Sequence, residues 1–195
     1  MTANKFSIAL WHRYGPAAHS EEYPCLPELI YELSKNCEVH YFGMMTPQPI
    51  PEIIKNSCKI HLLPFHVNRA SMRDKILKTI LWYMAIPWMA LYCRFNKITA
   101  LFIDESLPFS FFLMRIFYGK NIARTLTDFF LDIYIGKTKA GAFVAKLANK
   151  IEFLSWKSLP LIITRVKYTK KFLISRGINE ESIKVLYNPC DLDLY

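Results

Sequence analysis

The stretch from Phe6 to Gly43 constrains the fold of this chain more than any other. Phe6-Ser7-Ile8-Ala9-Leu10-Trp11 is nearly continuous in apolar residues, as a strand must be when both its faces are covered inside a parallel sheet. A polar loop from His12 to Tyr23 follows. A helix comes next, announced by Pro27 near its first position and Glu28 in its first turn. Leu26, Leu29, Ile30 and Leu33 recur at i, i+3, i+4 and i+7, which lays one apolar stripe on the sheet. Cys37 to Phe42 supplies a second strand, closed by Gly43. The unit is βαβ, and in an open α/β sheet its first loop opens at the carboxyl edge, where ligands bind.

The same alternation continues. Pro47, Pro49 and Pro51 make residues 46–51 a loop, and Lys59 to Leu63 is a third strand ended by Pro64. Ile98 to Ile103, Ile122 to Thr127, Leu161 to Thr164 and Ile183 to Tyr187 read as further strands, with helices over 76–93, Leu107 to Tyr118, Ala142 to Ser158 and Lys167 to Arg176. In the Ala142 helix Val144, Leu147, Ile151 and Leu154 form the apolar stripe, and Lys146, Lys150 and Glu152 lie off it. His40 and His61 alternate with apolar residues and read as histidines on a partly exposed strand face. The pattern predicts one Rossmann-like α/β domain over residues 1–187, a doubly wound and mainly parallel sheet of about seven strands with helices on both faces. Residues 188–195 then begin a linker.

A chain of 195 residues with 52% hydrophobic and 15% aromatic content can bury a sizeable core. Its five cysteines are odd in number and show no CxxC spacing, which points away from a disulfide framework or a zinc site and toward a reducing cytoplasm. Lys5 leads into a short strand rather than a signal peptide, and no N-x-[ST] sequon occurs. The formal charge of +9 calls for nucleic acid, an anionic membrane surface or phosphorylated small molecules. No zinc-finger or RNP-type pattern accompanies the basic residues, so nucleic acid is set aside.

Between Lys78 and Arg94 there is no charge at all, and Trp82, Tyr83, Trp88 and Tyr92 stand among Ile, Leu and Met. The run falls short of the roughly 20 residues a membrane span needs, and Pro87 interrupts it. Two readings remain open. In one, Ile76 to Cys93 is a crossover helix buried between the sheet and its neighbours. In the other, it is a monotopic helix that presses Trp82 and Trp88 into a bilayer interface while Arg69, Arg73, Lys75, Lys78, Arg94 and Lys97 meet lipid phosphates. The chain would then sit peripherally at the inner face of a membrane.

Candidate binding residues gather at the tips of three strands. The first loop offers Arg13, Tyr14, Gly15, His19 and Glu22, the fourth strand delivers Asp104 and Glu105, and the fifth delivers Thr127 and Asp128. In a parallel sheet these share one edge. Ser106 can also cap the next helix, with Asp104 and Glu105 merely favouring its dipole. Acids with neutral hydrogen-bonding neighbours suit sugar hydroxyls, which both donate and accept, and the planar fork of Arg13 suits a phosphate. With six glycines and no G-x-G-x-x-G, a dinucleotide site has little to be built from.

The closing run carries a family resemblance. Lys170-Lys171-Phe172-Leu173-Ile174-Ser175-Arg176-Gly177-Ile178 followed by Ile183 to Tyr187 and Asn188-Pro189-Cys190-Asp191 resembles the end of the first domain in glycosyltransferase family 4. Asn36-Cys37-Glu38-Val39 is similar to the Gly-His-Glu-Val that opens the second strand there. The resemblance implies the N-terminal half of a GT-B fold and retaining transfer from a nucleotide-sugar donor to a sugar or lipid-linked acceptor, with no catalytic metal or cofactor. It makes this chain the acceptor-binding domain, inactive until a donor-binding domain joins it in cis or in trans. Departures stand out: the first loop has a single glycine, Asp104-Glu105 and Thr127-Asp128 stand where many members have histidine, although Asp128 matches the acid that often follows it, and Arg165-Val166 replaces the small polar residue usual after the sixth strand. A reading of a different class is a non-catalytic, membrane-associated binding or scaffold subunit.

Overall fold

The computed structural model of the chain describes residues 6–66, 71–103, 110–119, 121–126 and 139–186. Seven strands form one sheet: β1 (Ser7–Trp11), β2 (Glu38–Met45), β3 (Lys59–His66), β4 (Ala100–Ile103), β5 (Ile122–Leu126), β6 (Leu161–Thr164) and β7 (Ile183–Val185). Their order is β3-β2-β1-β4-β5-β6-β7, and every neighbouring pair is parallel. Seven helices are described: α1 (Gly15–Glu22), α2 (Leu26–Ser34), α3 (Glu52–Ser57), α4 (Met72–Phe95), α5 (Ser110–Phe117), α6 (Lys139–Trp156) and α7 (Lys167–Ser175). The expected doubly wound Rossmann-like sheet is the fold.

Alternation along the strands divides the core into two layers. Leu10, Val39 and Tyr41 pack with Leu26 and Ile30 of α2 and Ile54 of α3 on one face. Ala9, Trp11, Phe42, Leu101, Ile103, Ile122 and Ile162 pack with Trp82 and Ile86 of α4, Phe111 and Met114 of α5, Trp156 of α6 and Leu173 of α7 on the other. Trp11 is the hub of the second layer. Its ring stacks on Phe42 at 5.2 Å and meets Trp82 edge-on at 6.2 Å, arrangements that aromatic quadrupoles favour.

Several expectations are corrected. Residues 15–22, expected as loop, form α1; with no periodic apolar stripe of its own, the helix is legible only through what covers it. Gly43 does not close β2, which runs on to Met45, because Gly43 is where the β1–α1 turn packs. Gly15 sits at φ +76°, and a Cβ there would stand 2.2 Å from the Met44 carbonyl oxygen; one on Gly43 would stand 2.4 Å from the Gly15 Cα. Two backbones touch because neither position carries a side chain. β3 passes through Pro64 to His66, which an edge strand tolerates, beside a bulge at Met44/Met45.

In α4, Pro87 leaves 24 residues of helix unbroken. In α2, Leu29 is exposed although Leu26 and Ile30 are buried. In α6 the stripe is rotated from its expected position. Leu147 and Leu154 are exposed, whereas Glu152 is 1% exposed. Its Oε2 accepts from Arg124 Nη1 of β5 at 3.1 Å, and the guanidinium also lies over the Trp156 ring at 5.2 Å. Both charges are desolvated, so each requires the other.

Two outcomes follow from this packing. Gly15→Ala adds backbone strain of about 1–3 kcal/mol to a backbone overlap, and a thermal melt should show a fall of about 5 °C or more in Tm. Arg124→Met alone should destabilise by about 3–5 kcal/mol in urea unfolding, while Arg124→Met with Glu152→Met should recover most of that loss.

Candidate functional site

Parallel register brings the strand tips to one edge. Trp11, the last residue of β1, pairs with Phe42 on one side and with Ile103, the last residue of β4, on the other; Ile103 in turn pairs with Arg124 of β5. Beyond Trp11 the chain turns at once, Gly15 N–H donating to the His12 carbonyl at 3.0 Å, and α1 begins. The residues between strand and helix are thereby held at the carboxyl edge of the sheet.

The first-loop residues form one connected group. Arg13 Nη1 donates to Thr79 Oγ1 of α4 and Nη2 to the Tyr14 hydroxyl, each at 2.6 Å. These bonds use two of the five donors of the fork, and the guanidinium stays half-buried at the edge. Tyr14 meets the His12 ring edge-on at 6.1 Å, and His12 stacks on His19 with centroids 4.0 Å apart. His12 Nε2 lies 3.5 Å from Glu22 Oε2, and His19 Nδ1 lies 2.6 Å from the Tyr41 hydroxyl. Arg13, Tyr14, His19 and Glu22 are thus brought together. Gly15 is with them, but its freedom of φ serves the contact with β2. Asp104, Glu105, Thr127 and Asp128 lie outside the described residues, as do Arg69 and residues 187–195.

Three neighbours escaped the sequence reading. His12 was placed in the loop without a role, and Thr79 and Tyr41 come from elements distant in sequence, so only the tertiary fold brings them in. Beside α1, Pro16, Ala17, Met44, Thr46, Gln48 and Leu62 line a pocket of about 170 Å³, smaller than the roughly 300–1,000 Å³ usual for ligand sites. The buried Gln48 Oε1 there has no hydrogen-bond partner and can accept from a hydroxyl. Among the described residues no group of three or more His, Cys, Asp or Glu could hold a metal ion.

The proposed membrane contacts separate into two sets. Trp82 is 0% exposed, in the core, so it meets no lipid: the helical turn points it at Trp11. Lys78 turns its ammonium toward the Phe65 ring at 5.6 Å. Trp88, Arg73 and Arg94 are exposed.

Two histidines were read as lying on a partly exposed strand face; His40 is buried and His61 half-buried, and they form a pair: His40 Nδ1 lies 3.0 Å from His61 Nε2, and His61 stacks on Phe42 at 4.5 Å beneath Tyr92 of α4. Burial lowers the pKa of His40, with Glu38 opposing and Lys59 adding; burial lowers that of His61, with His40 and Lys59 adding. Burial also pushes the Cys58 and Cys93 thiols up to about 12, which removes them as nucleophiles at neutral pH.

No known family's sequence pattern matches this chain, and no curated protein does. Solved structures do. Anabaena HepE in complex with UDP and glucose aligns with a TM-score of 0.54 at 11% identity, covering 97% of this chain and 46% of that one. The same protein with UDP-glucose gives 0.51 at 13% identity, with 97% and 45% covered, and with UDP 0.51 at 12%, with 97% and 46% covered. This chain therefore spans less than half the length of the protein it matches. It has the Rossmann-like fold of one half of a GT-B type molecule.

The histidine pair yields a pH prediction. Both folded-state values lie below the ordinary 6.5, so the unfolded chain binds these protons more readily. Their contribution is complete above about pH 6.5 and is lost as pH falls through the folded-state values. Tm should decline as pH falls below about 6.5, and His61→Gln should flatten that decline.

Proposed function

We propose that this chain is the acceptor-binding half of a retaining glycosyltransferase, which moves a sugar from a nucleotide-sugar donor to a sugar or lipid-linked acceptor. One observation carries the reading: across 97% of its length the chain superposes on one half of a protein solved with UDP, with UDP-glucose, and with UDP and glucose. The cluster at the carboxyl edge supports it chemically. Arg13 keeps donors for a phosphate or a sugar oxygen, the partly exposed Glu22 carboxylate can accept from a hydroxyl, and Gln48 adds a carbonyl.

In this reading the chain supplies one wall of a cleft, and a second Rossmann-like domain supplies the other together with the nucleotide site. The chain's own residues hold and orient the acceptor hydroxyl, and the donor's departing diphosphate is stabilised chiefly by the second domain. Holding both reactants in one cleft is itself a large part of catalysis.

Calorimetric titration tests the division of labour. The chain alone should show no saturable heat with UDP- or GDP-sugars, and sugar transfer should appear only when a donor-binding domain is present. Saturable binding of such a nucleotide sugar to this chain by itself would sink the assignment.

A further inference from the structure

The outer faces of α4 and α5 carry a surface that the candidate site does not use. Projected at about 100° per residue, Ile76, Ile80, Met84, Trp88, Tyr92 and Phe95 fall within an arc of about 160°, and they are 41–77% exposed. Trp82, Ile86, Met89, Ala90 and Cys93 fill the opposite arc at 0–6% exposed. The helix is apolar on both sides, packed on one and open on the other, with Tyr92 at the margin, where its ring also meets His61 and Phe42. α5 packs beside it and adds Phe112 and Ile116, 43% and 54% exposed. Trp88, Tyr92 and Phe95 alone leave roughly 300–500 Å² open if an aromatic side chain presents about 150–250 Å². That already equals the largest apolar patch on an ordinary monomer.

Charge and topology decide what covers it. Exposed Arg73, Arg94 and Lys97 bracket the patch, and Arg115 stands on α5. Asp74 is the one acid on α4, and α5 has none. Tryptophan and tyrosine inside a rim that is basic but for Asp74 are what an anionic bilayer surface attracts, the rings at headgroup depth and the cations on lipid phosphates. Although Ile76–Phe95 is long and apolar enough to cross a membrane, α4 joins β3 to β4 of the same sheet and is buried along one side. A crossing helix would place those two strands on opposite sides of the bilayer.

We propose that the outer face of α4, extended by α5, is a docking surface for an anionic lipid bilayer, on which the helix lies flat. Thr79 of α4, on the packed side of the helix, is 2.6 Å from Arg13, so this pose holds the carboxyl edge of the sheet about one helix thickness, roughly 10 Å, from the membrane surface. An acceptor reaching that edge would be lipid-linked; this last step rests on the glycosyl-transfer reading, whereas the docking does not.

Co-sedimentation of the chain with phosphatidylcholine vesicles, with and without phosphatidylglycerol and at low and high salt, tests the proposal without any sugar. Binding should require phosphatidylglycerol and weaken with salt. Met84→Glu with Trp88→Glu should cut partitioning at least about tenfold, and Arg73→Glu with Arg94→Glu should remove the preference for anionic lipid, both with unchanged thermal melts. Trp11, Trp82 and Trp156 are no more than 5% exposed, so quenching by brominated lipid should report Trp88 and vanish in Trp88→Phe. The proposal fails if anionic vesicles bind no chain at low salt or if the Met84/Trp88 variant binds undiminished. It fails equally if sedimentation velocity finds a lipid-free self-associated species that this variant abolishes.

Discussion

Parallel pairing governs the rest of the molecule. Each of the seven strands pairs in the same direction as its neighbours, so every connection must climb back over the sheet before the next strand can begin. Right-handed crossovers then send α2 and α3 to one face and α4 to α7 to the other. The strand tips share an edge as a result, and that edge is where the first loop opens. α4 has the longest climb, from β3 at the sheet margin past β2 and β1 to β4. A long helix laid across Trp11 and Phe42 must be apolar beneath, and nothing in the sheet explains why it is also apolar above.

The β1–α1 turn shows how close packing shapes the edge. Gly15 and Gly43 let two backbones meet where any side chain would hold them apart, and this contact fixes where α1 starts. The families that bind phosphate at such a turn use glycine to bring a ligand near the backbone. Here the two glycines are spent on each other, and the polar work at the edge falls to side chains: Arg13, Tyr14, His12, His19 and Glu22.

Polar groups inside the apolar layers impose a further constraint. The Arg124–Glu152 pair and the His40–His61 pair both sit beneath helices that cover the same face as α4. A buried ion pair contributes little net stability and penalises any packing that separates its members. The pair therefore fixes the register of α6 against β5, and His61 with Phe42 seats Tyr92 of α4.

The fold class was legible because its signal is periodic and local. Continuous apolar strands, helices with spaced leucines and turn residues between them recur along the chain, and their alternation permits few arrangements. α1 was illegible because Gly-Pro-Ala-Ala-His-Ser-Glu-Glu has no stripe, and its burial comes from Tyr41 and Gly43, contributed by a strand far along the chain. Glu152 was misplaced because a carboxylate in a helix normally faces water, and its partner Arg124 is 28 residues away. The sequence by itself determined that this is a parallel α/β sheet with a ligand edge and an unusually apolar crossover helix. Only the tertiary structure decided which side of that helix is covered and which residues join Arg13, because burial and contact are properties of the packed layers and cannot be read from one element's own pattern.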